Sequence, residues 1–280
     1  MIGKIIRTAF MSVLALIVIL PLIMTLVGSL MGADELYMHI APVLSGGSGQ
    51  ATMLVYPRIP ALTQYVKLLF DNPVFLSMFW NSISMVSLIL AGQVIVGTLC
   101  AWGFAHYRFR FSQALFMGYI ALMMMPFQVT LAPTYLTLDR LNLIDTPYAI
   151  ILPGIFTTFS VFLLRQFFRA VPHSLIEAAR IDGASEPTVF ARVGVPLAVP
   201  GIASMLTLSF LDNWNLIEQP MTFLRTESLH PLSLYLMRIG NSNADVAMAA
   251  SVLTLIPALM LFFFCESYLV EGIQLTGIKE

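Results

Sequence analysis

The sequence predicts an all-α polytopic membrane protein with six transmembrane helices and kinked core helices. Three observations support this prediction. Hydrophobic residues make up 58% of the 280 residues, charged residues make up only 10%, and six long stretches contain no Asp, Glu, Lys or Arg. The mean hydropathy of +0.86 is higher than a soluble domain can accommodate. The chain therefore needs lipid as its solvent.

Each uncharged stretch is long enough to cross the hydrocarbon layer, which takes roughly 17 to 25 apolar residues in a helix. The predicted spans are, in chain order, 9–31, 79–104, 113–134, 147–164, 195–211 and 246–265. Lys4 and Arg7 resemble the start of a signal peptide, but the apolar run that follows is too long for one. Residues 1–280 are predicted to form a single transmembrane domain.

Prolines within the spans predict that several of these helices are kinked, because each proline removes a backbone hydrogen bond. They are Pro21, Pro126, Pro133, Pro153, Pro196, Pro200 and Pro257. Kinked helices could line a solvated path; equally, proline is simply common in membrane helices. Since no charged residue lies deep in a span, a proton-coupled pump and a voltage sensor are disfavoured.

The distribution of Lys and Arg predicts the orientation in the membrane. If the six spans alternate, nine of these residues fall on the side of the two termini and five on the other side. Positive residues collect on the cytoplasmic side, so both termini are predicted to be cytoplasmic. The larger outer loops are then 34–73 and 212–245, and the glycine cluster at 46–49 predicts an irregular first loop.

The cytoplasmic loop 169–196 carries strong local signals. Ser174 and Glu177 have the spacing of a capping box and predict the start of a short helix. Gly183 predicts its end, because glycine tolerates the left-handed conformation. Ser185 followed by Glu186 and Pro187 predicts a second short helix. Such a loop suits docking of another protein and, equally, an amphipathic helix resting on lipid headgroups.

A resemblance favours docking. The run Glu177-Ala178-Ala179, then three residues, Gly183, nine residues and Val193-x-Val195-Pro196 resembles the EAA loop of permease subunits from bacterial ABC importers. The two valines depart conservatively from the isoleucine and leucine of the family pattern. The resemblance implies a coupling helix that sits in a cleft of a partner ATPase. The implied coupling residues are Glu177, Ala178, Ala179, Asp182 and Gly183.

Further segments are similar to the carbohydrate-uptake branch of these permeases, the maltose and glycerol-phosphate type. They are Asn81-Ser82, 109–111, 125–128, 165–168, Trp214-Asn215, 270–272 and 276–279. This resemblance implies a multi-pass protein of the bacterial plasma (inner) membrane that translocates a sugar or related polyol. A permease for polyamines, peptides or a phosphorylated polyol, and a passive channel, are the alternatives.

Energy is expected to come from outside the chain. A nucleotide-binding loop needs the pattern G-x-x-x-x-G-K-[ST], and none of the lysines lies in that context. We therefore expect no ATPase site, no cofactor, no metal site and no catalytic residues in this chain, and no nucleic acid among its partners. The resemblance implies a heterodimer with a second permease subunit, two ATP-binding subunits holding ATP and Mg, and an extracytoplasmic solute-binding protein.

A possible substrate path is indicated at the outer end of the fifth span, where Asn213, Trp214 and Asn215 follow one another. An aromatic plane flanked by amide groups suits stacking and hydrogen bonding to a sugar. The alternative is a tryptophan placed at the membrane interface for its amphipathic ring.

Overall fold

A computed structural model describes residues 2–44, 56–239 and 243–277, and over these ranges all regular elements are helical. The predicted all-α fold is confirmed. The α-helices are α1 (Ile2–Ser29), α2 (Ala33–Leu44), α3 (Thr63–Val66), α4 (Pro73–His106), α5 (Ser112–Met123), α6 (Phe127–Arg140), α7 (Tyr148–Ile155), α8 (Thr158–Ala170), α9 (His173–Ile181), α10 (Glu186–Val189), α11 (Val195–Leu197), α12 (Val199–Trp214), α13 (Glu218–Phe223), α14 (Leu232–Arg238) and α15 (Ala244–Gly277). Lys67–Asp71 and Phe190–Gly194 are π-helical and Glu227–Leu229 is a 3₁₀ turn.

Four helical segments of the described chain are long and apolar enough to cross a membrane: Gly3–Ser29, Pro73–His106, Tyr148–Ala170 and Ala244–Tyr268. Two further pairs of helices reach that length only together, and each pair is bent. The helices α5 and α6 meet at 104°, and Glu186–Leu197 meets α12 at 71°. The described chain thus has four spans, or up to six if each bent pair is one span, in keeping with the predicted six.

The predicted span 113–134 is broken, as its prolines predict, because α5 ends at Met123 and α6 begins at Phe127; its bounds stay a prediction. The span predicted at 147–164 is also interrupted, between Ile155 and Thr158. Pro126 provides the physical reason at the first break, since its backbone is extended (ψ 135°) and proline has no N–H to continue the helix. The prediction of kinked core helices is confirmed at the bent pairs.

The described chain divides into two compact units. The first unit comprises Met1–Phe79 and Leu234–Pro257. The loop predicted at 34–73 is more helical than predicted, because α2 and α3 lie in it. The glycine cluster at 46–49 falls outside the described residues. Within this unit Met31 and Leu36 are buried together, and Lys67 Nζ lies 3.7 Å from Asp245 Oδ2.

The second unit comprises Trp80–Ser233 and Ala258–Glu280 and contains the predicted coupling loop. Its core packs Trp102 of α4, Leu164 and Phe168 of α8, Ile176 of α9 and Met205 of α12 together. Glycines allow these helices to approach closely, as is common where membrane helices pack. A Cβ added to Gly201 of α12 would overlap the ring of Phe167. The single domain predicted over 1–280 stays a prediction.

Candidate functional site

The start of the predicted coupling helix differs from the capping-box prediction. The helix α9 begins at His173, its N-cap is Pro172, and no side chain caps it. Because Pro172 holds an extended backbone (φ −61°, ψ 128°) immediately before the helix, Ser174 lies inside the first turn. The Glu177 carboxylate contacts His173 instead, with Oε1 3.2 Å from Nδ1. The capping box of Ser174 and Glu177 is therefore wrong.

The end of α9 is as predicted. Gly183 has a φ of +83°, its N–H donates to the Arg180 carbonyl at 3.0 Å, and the Ala184 N–H donates to the Ala179 carbonyl at 3.0 Å. These two bonds form a Schellman motif with glycine in the left-handed position. A Cβ at Gly183 would have no heavy atom within 4 Å. Within the part of the chain that the structure describes, an added Cβ here would therefore cost backbone strain and no steric overlap.

The second short helix, α10, begins after Ser185 as predicted. The Ser185 hydroxyl contacts the Thr188 hydroxyl at 2.8 Å and caps no backbone N–H. Pro187 occupies the first turn of α10, where its missing N–H costs nothing. A π-helical turn from Phe190 to Gly194 then leads toward α12.

The two faces of α9 have different partners. Ile176 is buried in the core of the second unit, and Ala179 packs partly against the same core. Glu177 and Ala178 are exposed, and Ile181 is 86% exposed. Ile181 thus adds an apolar side chain to the outward face of α9. Ile181 was missed by the sequence analysis, although its position two residues before Gly183 places it on the outward face.

Of the five predicted coupling residues, the structure brings four to the surface. Glu177, Ala178, Asp182 and Gly183 are exposed, whereas Ala179 is half-buried and turns toward the core. The four exposed residues lie along one helix and the turn that ends it. Their role in docking stays a prediction.

A polar cluster fastens the end of α9 to neighbouring segments. Arg180 binds Glu186 of α10 with two hydrogen bonds, from Nε at 2.8 Å and from Nη2 at 3.1 Å. The hydroxyl of Tyr107, which follows α4, donates to Glu186 Oε2 at 2.7 Å. The hydrogen bond to Glu186 raises the pKa of Tyr107, and the same carboxylate raises the pKa of Arg180. Both groups therefore keep their protons near neutral pH, and the cluster stays intact.

A cavity of about 590 Å³ lies elsewhere in the second unit, within the range of roughly 300 to 1,000 Å³ typical of ligand sites. It is lined by residues of α4, of the break between α5 and α6, of the break between α7 and α8, of the end of α12 and of α13. Its polar side chains are Gln93, Thr130, Thr157, Thr158, Ser209, Asp212, Asn213 and Gln219. Aromatic rings of Phe127, Phe156 and Phe159 also line it, together with apolar residues such as Leu122, Met123 and Leu216.

The interrupted helices explain why a polar cavity forms in this apolar unit. Where a helix stops at membrane depth, its terminal N–H and C=O groups need partners from protein or water. The helices α6 and α8 both begin at the cavity, and neither has a side-chain cap. Discontinuous membrane helices with exposed termini commonly build binding sites.

Gln93 is the one strongly polar residue in the middle of α4, and it lines the cavity while only 1% exposed. Its Nε2 donates to the Gly154 carbonyl at 2.7 Å and so bridges α4 and α7. Its Oε1 has no hydrogen-bond partner in the described part of the chain. A buried carbonyl without a partner costs about 1–3 kcal/mol, so this oxygen favours a hydroxyl donor.

The three residues of the predicted substrate path are separated by the structure. Asn213 lines the cavity and donates to the Ser209 carbonyl at 2.7 Å. Trp214 is buried, 4% exposed, and stacks on Phe210 with ring centroids 5.2 Å apart. Asn215 is exposed, does not line the cavity and donates to the Leu211 carbonyl. Their predicted role in the path stays a prediction, and only Asn213 has the position for it.

Known families and relatives that match this chain are all membrane components of transport systems. The profile of the family described as "Binding-protein-dependent transport system inner membrane component" matches residues 93–273. The arabinooligosaccharides transport system permease protein AraQ of Bacillus subtilis is 27% identical over 280 residues, 99% of this chain and 96% of the relative. The sn-glycerol-3-phosphate transport system permease protein UgpE of Yersinia pestis is 30% identical over 201 residues, 70% of this chain and 72% of the relative.

Solved structures share the fold. A chain of a bacterial ABC transporter involved in the import of the acidic polysaccharide alginate superposes with a TM-score of 0.80 at 21% identity, covering 96% of each chain. A chain of a bacterial alginate ABC transporter, in complex with an alginate pentasaccharide-bound periplasmic protein, gives a TM-score of 0.62 at 17% identity over 94% and 92% of the two chains.

Proposed function

This chain belongs to the family of binding-protein-dependent transport system inner membrane components, and from that membership we propose that it translocates a sugar with energy from a partner ATPase. The curated relatives named above transport arabinooligosaccharides and glycerol phosphate, which supports a sugar or related polyol as cargo. The proposed partners are a second permease subunit, two ATP-binding subunits that hold ATP and Mg, and an extracytoplasmic solute-binding protein.

The observation that carries the energy-coupling part of the proposal is the two-sided helix α9. Its inner face is fixed to the core by Ile176, and its outer face presents Glu177, Ala178 and Ile181. A partner that holds the outer face can therefore move the core packed against the inner face. The Schellman turn at Gly183 and the cluster of Arg180, Glu186 and Tyr107 extend this firm connection to α10 and the end of α4.

A phosphorylated polyol is the second candidate cargo, because a glycerol-phosphate permease is among the relatives at 30% identity. Transport assays with the assembled complex separate the two candidates. Uptake of arabinooligosaccharides supports a sugar, and uptake of glycerol 3-phosphate alone supports the phosphorylated polyol.

The variant Glu177→Ala tests the coupling role. The pair of Glu177 and His173 is exposed, with 64% of each side chain accessible, and an exposed helical pair contributes only about 0.3–0.5 kcal/mol to stability. We expect normal membrane insertion but a loss of at least tenfold in uptake and in ATPase stimulation, since a central interface residue is typically worth about 2 kcal/mol. Reconstituted proteoliposomes measure both rates.

The matched control is Glu266→Ala, which removes an exposed glutamate of α15 on the predicted cytoplasmic side. It should leave uptake and stimulated ATPase activity at wild-type levels. Wild-type rates in Glu177→Ala would contradict the coupling assignment.

A further inference from the structure

The cavity of the second unit is lined by one acidic side chain and by no basic side chain. Asp212 is the one fully charged side chain in its lining, and no Lys, Arg or His is among the residues that line it. Protein sites for carboxylates and phosphates normally use the charged hydrogen bonds of Arg or Lys. The cavity thus lacks the charged hydrogen-bond donors that are usual in anion sites.

Two helix N-termini add partial positive charge to the cavity. The helices α6 and α8 both begin at the cavity, and a helix N-terminus is equivalent to about half a positive charge. Together they offset the single negative charge of Asp212. The local charge is therefore close to zero, with no positive surplus to attract an anion.

The uncharged groups of the lining have the chemistry that a sugar needs. Gln93 brings an acceptor, Oε1, that has no partner in the described chain. The hydroxyl of Thr130 and the amides of Asn213 and Gln219 add groups that donate and accept. Aromatic rings such as Phe127 supply apolar faces for stacking beside them.

We propose that this cavity binds an uncharged sugar unit and that the Asp212 carboxylate selects against anionic sugars and phosphorylated polyols. The inference rests on the proposed function, because it names the cargo class of the same permease. Asp212 has two roles here: it accepts hydroxyl hydrogen bonds, and it cancels the positive helix ends. Removing its charge without changing its shape should make the cavity receptive to anions.

The charge part is tested with thiol reagents and needs no knowledge of the cargo. Thr157→Cys is introduced into the assembled complex after Cys100→Ser and Cys265→Ser, and its modification rates by an anionic and a cationic methanethiosulfonate are compared. Because Thr157 and Asp212 line the same cavity, adding Asp212→Asn should raise the anionic-to-cationic rate ratio about fivefold or more, since one unit of negative charge attracts the cationic reagent and repels the anionic one. Asp139→Asn, in α6 but outside the cavity lining, should leave the ratio unchanged. An unchanged ratio in Asp212→Asn overturns the charge assignment.

The sugar part is tested by protection of the same thiol. Saturating neutral sugar that the complex imports should slow modification of the Thr157→Cys chain severalfold, and its uronate analogue should not. Asn213→Ala should abolish the protection, whereas Asn215→Ala should retain it, since both amides bond to helix carbonyls but only Asn213 lines the cavity. Equal protection by the uronate, or loss of protection in neither variant, overturns the inference. A complex that imports no sugar contradicts the proposed function instead, and the thiol rate ratio still decides the charge of the cavity.

Discussion

Gly183 combines a required backbone conformation with open space around its Cα. Its φ of +83° places it in the left-handed region, where an L-residue costs roughly 1–2 kcal/mol. No heavy atom of the described chain would meet an added Cβ within 4 Å. Backbone strain and steric blocking by a partner can therefore be distinguished at this residue, because a Cβ here meets no atom of the described chain.

Two substitutions at this position make the separation measurable. Gly183→Ala and Gly183→Leu should lower the free energy of unfolding by similar amounts, about 1–2 kcal/mol each, because both impose the same backbone strain. If the ATPase approaches this surface, uptake should fall much further in Gly183→Leu than in Gly183→Ala. Thermal unfolding of the purified chain and uptake by the complex check the two halves; equal uptake in both variants argues against close approach of a partner.

Asp145 shows how a single residue can hold two loops together. Asp145 has a φ of +62° and accepts hydrogen bonds from the N–H groups of Arg225 and Thr226 and from the Thr226 hydroxyl. The Thr226 contacts, followed by the Arg225 N–H, lower the pKa of this carboxyl. The carboxylate thus fastens the turn before α7 to the segment after α13.

At the scale of helices, the packing of α8 against α12 depends on a missing side chain. Gly201 faces Phe167 so closely that an added Cβ would overlap the base of the Phe167 side chain, at its Cβ, Cγ and Cδ2 atoms. The ring has little room to move away, because these atoms lie next to the Phe167 backbone. Gly118 of α5, by contrast, has nothing within 4 Å of an added Cβ. Both glycines thus lie in helices, but only Gly201 is in close contact with another side chain.

The matched pair Gly201→Ala and Gly118→Ala tests this difference. Overpacking costs typically 1–3 kcal/mol, which exceeds the gain of about 1 kcal/mol in helix propensity from glycine to alanine. Gly201→Ala should therefore be destabilised by up to about 2 kcal/mol, while Gly118→Ala should be neutral or slightly stabilised. Thermal unfolding in detergent measures both; equal stability of the two variants would show that Phe167 yields without cost.

Helix breaks were the hardest feature to place from the sequence. Pro21, Pro133 and Pro257 all lie inside helices that continue through them, whereas Pro126 stands at a bend of 104°. The local chemistry of these prolines is the same. What differs is whether neighbouring groups satisfy the backbone that each proline frees, and that depends on tertiary packing.

At the scale of the molecule, features that depend on many consecutive residues or on one local residue could be predicted from the sequence. Features that depend on residues from separate segments could not. Hydropathy accumulated over about 20 residues identifies membrane helices, and the turn at Gly183 depends on one local residue. The all-α membrane fold and this turn are therefore confirmed, whereas the bounds of the individual spans stay a prediction. The capping box failed because Pro172, two residues before Ser174, decides where α9 begins. The cavity was missed because its lining comes from separate segments, although Gln93, a lone amide in an apolar span, was a usable signal.

The orientation of the whole chain is the prediction on which the coupling proposal depends. Nine Lys and Arg residues lie on the predicted inner side against five on the outer side, and this asymmetry favours cytoplasmic termini. In a chain carrying Cys100→Ser and Cys265→Ser, an impermeant maleimide applied to intact spheroplasts should label Leu141→Cys but not Phe109→Cys. Both positions are exposed, so permeabilised cells should show labelling of each. The reverse pattern would place α9 on the outer side, away from cytoplasmic ATP, and the coupling proposal would fail with it.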